Sequence, residues 1–99
     1  MDIVELFATN LQVRILKLFL EHPNKLFSCT LLAKILNSSP SAVIYRLRHL
    51  LQLGVIKVIG IDRMKLYRLD IENEVVQILL DFYRKLKATD PTSNQDRQQ

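Results

Sequence analysis

The sequence predicts a mainly α protein with one small β-hairpin, an α+β fold, and three observations carry that expectation. Apolar residues recur at helical spacing through five stretches between Ile3 and Leu86. From Gly54 to Asp70 the spacing changes to β-branched alternation, GVIKVIGIDRMKLYRLD. Two of the helical stretches, 29–36 and the one that opens at Pro40 and stops at Gly54, are separated by a short polar turn, which is helix-turn-helix spacing.

Residues 2–9, DIVELFAT, form two helical turns with Ile3, Leu6 and Phe7 on one side. Asp2 and Glu5 suit the positive end of the helix dipole, and Asn10 ends this helix or caps the next. The run Leu11 to Glu21, LQVRILKLFLE, is apolar around most of its circumference, with Gln12, Arg14, Lys17 and Glu21 as its polar residues, so it is the expected buried central helix. His22-Pro23-Asn24 breaks it, because a proline biases its predecessor out of the helical region. Lys25 to Phe27 reads as extended. Ser28 then caps a helix over Cys29 to Leu36, in which Leu31, Leu32, Ile35 and Leu36 are the packing residues.

After the turn at 37–39, Ser39 provides a hydroxyl cap and Pro40 stands at the first helical position, where the missing N–H costs nothing. Gly54 supplies the left-handed stop. At 100° per residue Val43, Leu47, Leu50 and Leu51 share one arc, and Ser41, Tyr45, Arg48, His49 and Gln52 share the other. The second face carries no acid. Hydroxyl, aromatic, amide and guanidinium groups without a carboxylate suit a polyanion with readable base edges; an ordinary solvated face is the alternative.

In the hairpin, Gly60 and Asp62 read as turn formers, and Lys57, Arg63, Lys65 and Arg68 place four bases on or near it, with Arg63-Met64 at the tip. Those bases either reach phosphate or only keep the hairpin soluble and its edge unpaired. Asp70 is the expected cap of a last helix over 71–88, and its apolar arc is wider than one core needs. Leu79, Phe82 and Leu86 are expected on the domain's own core. Val76, Leu80 and Tyr83 would then stay wet unless a second copy covers them, with Ile3, Leu6 and Phe7 contributing. The polar run 89–99 is expected to be a disordered tail.

Ninety-nine residues, 48% of them hydrophobic, suffice for one domain over 1–88, with 10–69 as its core unit. No apolar run approaches a membrane span, and acids stand where a secretory signal carries bases, so a cytoplasmic protein without membrane contact is expected. Cys29 is the single cysteine, beside only His22 and His49; no disulfide and no metal are expected, and Cys29 reads as a packing residue. Charge is segregated. Residues 22–69 hold eight bases against one acid, whereas the rest of the chain holds six bases against nine acids, a distribution suited to nucleic acid. With no phosphate-binding glycine loop, no paired nucleophile and no carboxylate cluster, neither enzyme chemistry nor a cofactor is expected.

Arg14-Ile15-Leu16, Leu32-Ala33, Ser39-Pro40-Ser41-Ala42-Val43, Leu47 to Leu50, Leu53-Gly54-Val55-Ile56 and Tyr67-Arg68-Leu69 follow one another in an order that resembles winged helix-turn-helix DNA-binding proteins, close to archaeal ArsR-like and MarR-like regulators. The resemblance spans roughly residues 10–88. It implies a third helix in the major groove of double-stranded DNA, with Ser39, Ser41, Ala42, Tyr45, Arg46, Arg48, His49 and Gln52 as candidate contacts. It also implies a wing on backbone or minor groove through Lys57, Arg63, Lys65 and Arg68. Terminal helices would form a homodimer through Ile3, Leu6, Phe7, Val76, Leu80 and Tyr83. The cysteines of metal-sensing relatives have no counterpart, so metal sensing is not implied. A homodimeric transcriptional regulator is the leading expectation, and a winged-helix protein-interaction module is the alternative.

Overall fold

The computed structural model describes residues 10–89, which form four helices and three strands. In chain order these are α1 (Asn10–Glu21), β1 (Phe27–Ser28), α2 (Cys29–Leu36), α3 (Pro40–Gln52), β2 (Ile56–Ile61), β3 (Met64–Leu69) and α4 (Glu74–Thr89). Ile3, Leu6 and Phe7, and the tail from residue 90 onward, lie outside the described residues.

Each boundary has a local cause. Ser28 Oγ accepts a hydrogen bond from the Leu31 amide at 3.0 Å and starts α2, and Ser39 Oγ accepts from the Ala42 amide at 3.2 Å and starts α3. Asn37 closes α2 in the left-handed conformation (φ 53°), which asparagine tolerates better than most residues. Gly54 follows the end of α3 at φ 78°, where a side chain would be strained. The strands form an antiparallel sheet of order β1-β3-β2, with Phe27 opposite Tyr67 and Val58 opposite Tyr67 on its other side. Residues 27–28 thus add a third strand to the expected hairpin, a non-local pairing that periodicity does not reveal. Gly60 lies within β2 opposite Lys65, so the turn is the two residues Asp62-Arg63, with Asp62 alone left-handed (φ 57°).

The core gathers one face of every helix against one face of the sheet. Ile15, Phe19, Leu32, Val43, Leu47, Leu50, Val55 and Leu69 are fully withdrawn from water, and Phe19 meets Phe27 edge to face at 5.2 Å. In α2 the buried residues are Leu32, Ala33 and Leu36, whereas Ile35, expected to pack, is 47% exposed. Arg14 extends from α1 to donate from Nη2 to the Leu36 carbonyl at 2.8 Å, satisfying an end-of-helix acceptor.

The cap of α4 differs from the sequence expectation. The Asp70 carboxylate accepts only from the Glu72 amide, within the preceding turn, while its carbonyl accepts from the Asn73 amide at 3.2 Å. Asn73 is the cap: its Oδ1 accepts from the Val75 amide at 2.8 Å and the Val76 amide at 3.2 Å, while its Nδ2 donates to the Gly54 carbonyl at 2.8 Å. That side chain ties the start of α4 to the end of α3 and sets the rotation of α4. As a result Val76 (0% exposed) and Leu80 (7%) lie in the domain's own core with Leu79, and it is Ile78, Phe82 and Leu86 that face solvent. The expectation that Val76 and Leu80 stay wet is corrected on this ground, as is the expectation that Phe82 and Leu86 pack inward. Tyr83 is half-buried against α1. Desolvation, then the charge of Glu21 and a hydrogen bond with it, push the Tyr83 phenol up to about 12.

Asn73→Ala is expected to lower stability by about 1–2 kcal/mol through loss of the cap, a fall in melting temperature of about 4–16 °C for a domain of this size, whereas Asp70→Ala moves it little. Thermal unfolding followed by circular dichroism checks this. The raised Tyr83 pKa favours the neutral phenol in the folded state, so its contribution is complete below pH 10 and is lost as pH rises from 10 towards 12. Thermal melts across that window should fall less steeply for Tyr83→Phe than for the unaltered protein.

Candidate nucleic-acid interface

The outer face of α3 is set by what its inner face buries. Val43, Leu47 and Leu50 are 0% exposed, which leaves Ser41, Tyr45, Arg48 and Gln52 in solvent, with Ala42, Arg46 and His49 half-buried at the margins. No carboxylate lies on this helix. Ser39 stands at its start, where the hydroxyl serves as the cap and also lies 3.4 Å from Ser41 Oγ.

The aromatic and cationic groups on α3 touch one another. Tyr45, 52% exposed, has its ring centroid 4.7 Å from that of His49, and the Arg46 guanidinium lies over the Tyr45 ring at 4.8 Å. Arg46 also bends toward the interior, donating from Nη1 to Gln12 Oε1 at 3.5 Å. Its place on the outer face of α3 is therefore shared with a contact to α1, which helical periodicity alone does not disclose.

The hairpin divides the four wing bases into two pairs. Directly opposite residues share a sheet face, and side chains alternate along each strand. Lys57 stands opposite Arg68, half-buried at the root of the hairpin, on the face away from buried Tyr67. The Nε of Arg68 is buried with no hydrogen-bond partner among the described residues. Arg63 and Lys65 are exposed at the tip, roughly 13 Å further along the strands at about 3.3 Å per residue. With Tyr67, these two tip bases line a cleft that continues onto Ser28, Cys29 and Thr30 at the start of α2 and onto Ile44 of α3. The positive tip thus lies beside α3, while the Lys57/Arg68 pair does not join it.

Two groups lie behind this surface. Burial raises the Tyr67 phenol, as does the nearby Cys29, against a smaller lowering by the positive charge of Arg48, so Arg48 sits near the boundary between α3 and the wing. Cys29 is half-buried; its Sγ donates to the Pro40 carbonyl at 3.3 Å, and desolvation raises the thiol, partly offset by a hydrogen bond with the Ile44 backbone. It joins α2 to the first turn of α3, as its expected packing role requires. Among the described residues, no three His, Cys, Asp or Glu side chains gather where a metal could bind, and no helix is long and apolar enough to cross a membrane.

No family model and no curated protein matches this chain. Solved structures do. HlyU from Vibrio cholerae aligns over 85% of this chain and 86% of its own, with a TM-score of 0.69 and 20% identity. The fold is a winged helix-turn-helix. A point mutant of ZitR from Lactococcus lactis aligns over 89% of this chain and 66% of its own, with a TM-score of 0.56 and 24% identity. Within the winged helix-turn-helix, α2 and α3 are the helix-turn-helix pair, and β2 and β3 are the wing.

Proposed function

We propose that the protein is a sequence-specific, DNA-binding transcriptional regulator of the cytoplasm that acts as a homodimer, with α3 in the major groove and the wing tip on backbone or minor groove. The observation that carries this reading is the acid-free outer face of α3 beside the exposed bases Arg63 and Lys65. Tyr45, Arg48 and Gln52 are the side chains best exposed to reach base edges; Ser39, Ser41 and the margin residues serve position more than readout. Lys57 and Arg68, on the far face of the hairpin, contribute to the field and not to the contact.

Dimerisation is proposed through α4 and α1. Phe82 and Leu86 are 58% and 49% exposed and, with Leu79 and Tyr83, border an apolar groove whose other wall is Val13, Leu16, Lys17 and Leu20. Burying a side chain of Leu or Phe size contributes about 1.5–3 kcal/mol, so a two-fold contact over this groove can hold two chains together. The axis would present two α3 helices to successive major grooves about 34 Å apart, giving an inverted-repeat operator.

A protein-interaction module is the second reading, and one observation favours it: Val58, Ile61 and Met64 leave the wing with exposed apolar side chains that phosphate does not require.

Selection of bound sequences from a random DNA pool tests the main reading, with a two-fold consensus as the expected result and an unenriched pool as its refutation. Arg48→Ala should then lose about 1–3 kcal/mol of preference for the selected site over random DNA. Arg63→Ala with Lys65→Ala should lower the salt slope of binding by about one to two units per subunit, whereas Lys57→Ala leaves it nearly unchanged. A salt-insensitive protein partner in place of DNA would favour the second reading. For the dimer, Phe82→Glu should sediment as a folded monomer with weakened operator binding; a dimer that survives this substitution places the interface elsewhere.

A further inference from the structure

Gln12 is the one buried polar side chain among the described residues, at 0% exposure on α1, a helix that lies behind the proposed reading surface. A buried amide is costly unless its hydrogen-bonding groups are used, and here Oε1 receives the Arg46 guanidinium from a helix 34 residues away. The same guanidinium lies over Tyr45, 4.8 Å from the ring centroid, and Tyr45 in turn meets His49. Four side chains therefore run in one line of contact, Gln12 to Arg46 to Tyr45 to His49, from the core to the solvent-exposed face of α3.

We propose that Gln12 is a positioning residue for DNA readout: by fixing Arg46 it holds the Tyr45 ring in one orientation, so that a side chain with no access to DNA sets which bases α3 prefers. The inference rests on the DNA-binding reading above. Its physical basis is side-chain entropy. Arginine and tyrosine on a helix surface sample several rotamers, and a long guanidinium anchored at one end by a buried acceptor and at the other by an aromatic face loses that freedom before DNA arrives. Preorganisation of this kind sharpens discrimination more than it strengthens contact with phosphate.

The test uses Gln12→Met, which keeps volume and removes the acceptor, Gln12→Glu, which keeps an acceptor, and Arg46→Met, which breaks the same contact from a half-exposed position and preserves the fold should Gln12→Met fail to fold. Gln12→Met should reduce the ratio of selected-site to random-DNA affinity about five- to tenfold, the scale of one base contact. Binding to random DNA should hold steady, and Gln12→Glu should recover most of the ratio. Gln12→Met combined with Arg46→Met should discriminate no worse than Arg46→Met alone. In the free protein, NMR relaxation at Arg46 Nε should report faster motion, and the Tyr45 ring signals should shift, in Gln12→Met. Unchanged discrimination in a folded Gln12→Met protein, losses that multiply in the double variant, or an Arg46 side chain no more mobile than before would each overturn the proposal. A parent protein with no preference among DNA sequences would instead overturn the reading beneath it, whatever the NMR measurements show.

Discussion

Withdrawal of Val43, Leu47 and Leu50 from water is the constraint on which the rest of the molecule depends. With three side chains on one stripe fixed against the core, α3 has no rotational freedom, and the residues it shows to solvent follow from helical geometry. The α1 helix supplies the floor beneath that stripe, and α2 is joined to α1 by the Arg14 bond to the Leu36 carbonyl and to α3 by the Cys29 contact with Pro40. The sheet closes the remaining side through Phe27, Tyr67 and Leu69. Each neighbour of α3 is thus placed to hold its register, and the placement of the exposed face follows from that of the hidden one.

Much of this was legible in the chain because local chemistry and tertiary structure agree. Ser28, Ser39, Pro40 and Gly54 stand where helix boundaries need a hydroxyl, a fixed φ or a positive φ, and the structure uses all four that way. The alternation after Gly54 marked both long strands. What escaped was non-local. Phe27 and Ser28 become a strand only because β3 lies beside them, and no pattern of two residues can announce that. The rotation of α4 depends on an asparagine reaching the Gly54 carbonyl, so an arc wide enough to allow several orientations was assigned the wrong edge at Val76, Leu80, Phe82 and Leu86. At the candidate interface, composition singled out the bases. The turn residues already put Arg63 and Lys65 near the tip; what needed the register was that Lys57 and Arg68 stand opposite each other on the face away from Tyr67.

Asn73 illustrates how much organisation one short side chain can carry. It satisfies two amides at the start of α4 and one carbonyl at the end of α3, and so couples the face turned toward the proposed ligand to the face turned toward the proposed second copy. A Cβ at Gly54 would stand 3.5 Å from Asn73 Nδ2, an ordinary contact, so it is the backbone at φ 78° that disfavours a side chain there. The junction of the two helices thus depends on an amide at one position and on a positive φ at the other.

The order β1-β3-β2 leaves β2 at the margin of the sheet, its outer edge paired with no strand among the described residues. Val58 and Ile61 stand half-exposed along it, and Lys57 is the only charged residue in the strand. A segment so composed invites another extended chain to join the ladder, and a lone ammonium near one end is a thin defence. At high concentration, and above all during folding before the hairpin is docked, sheet growth along β2 is the association that such an edge favours.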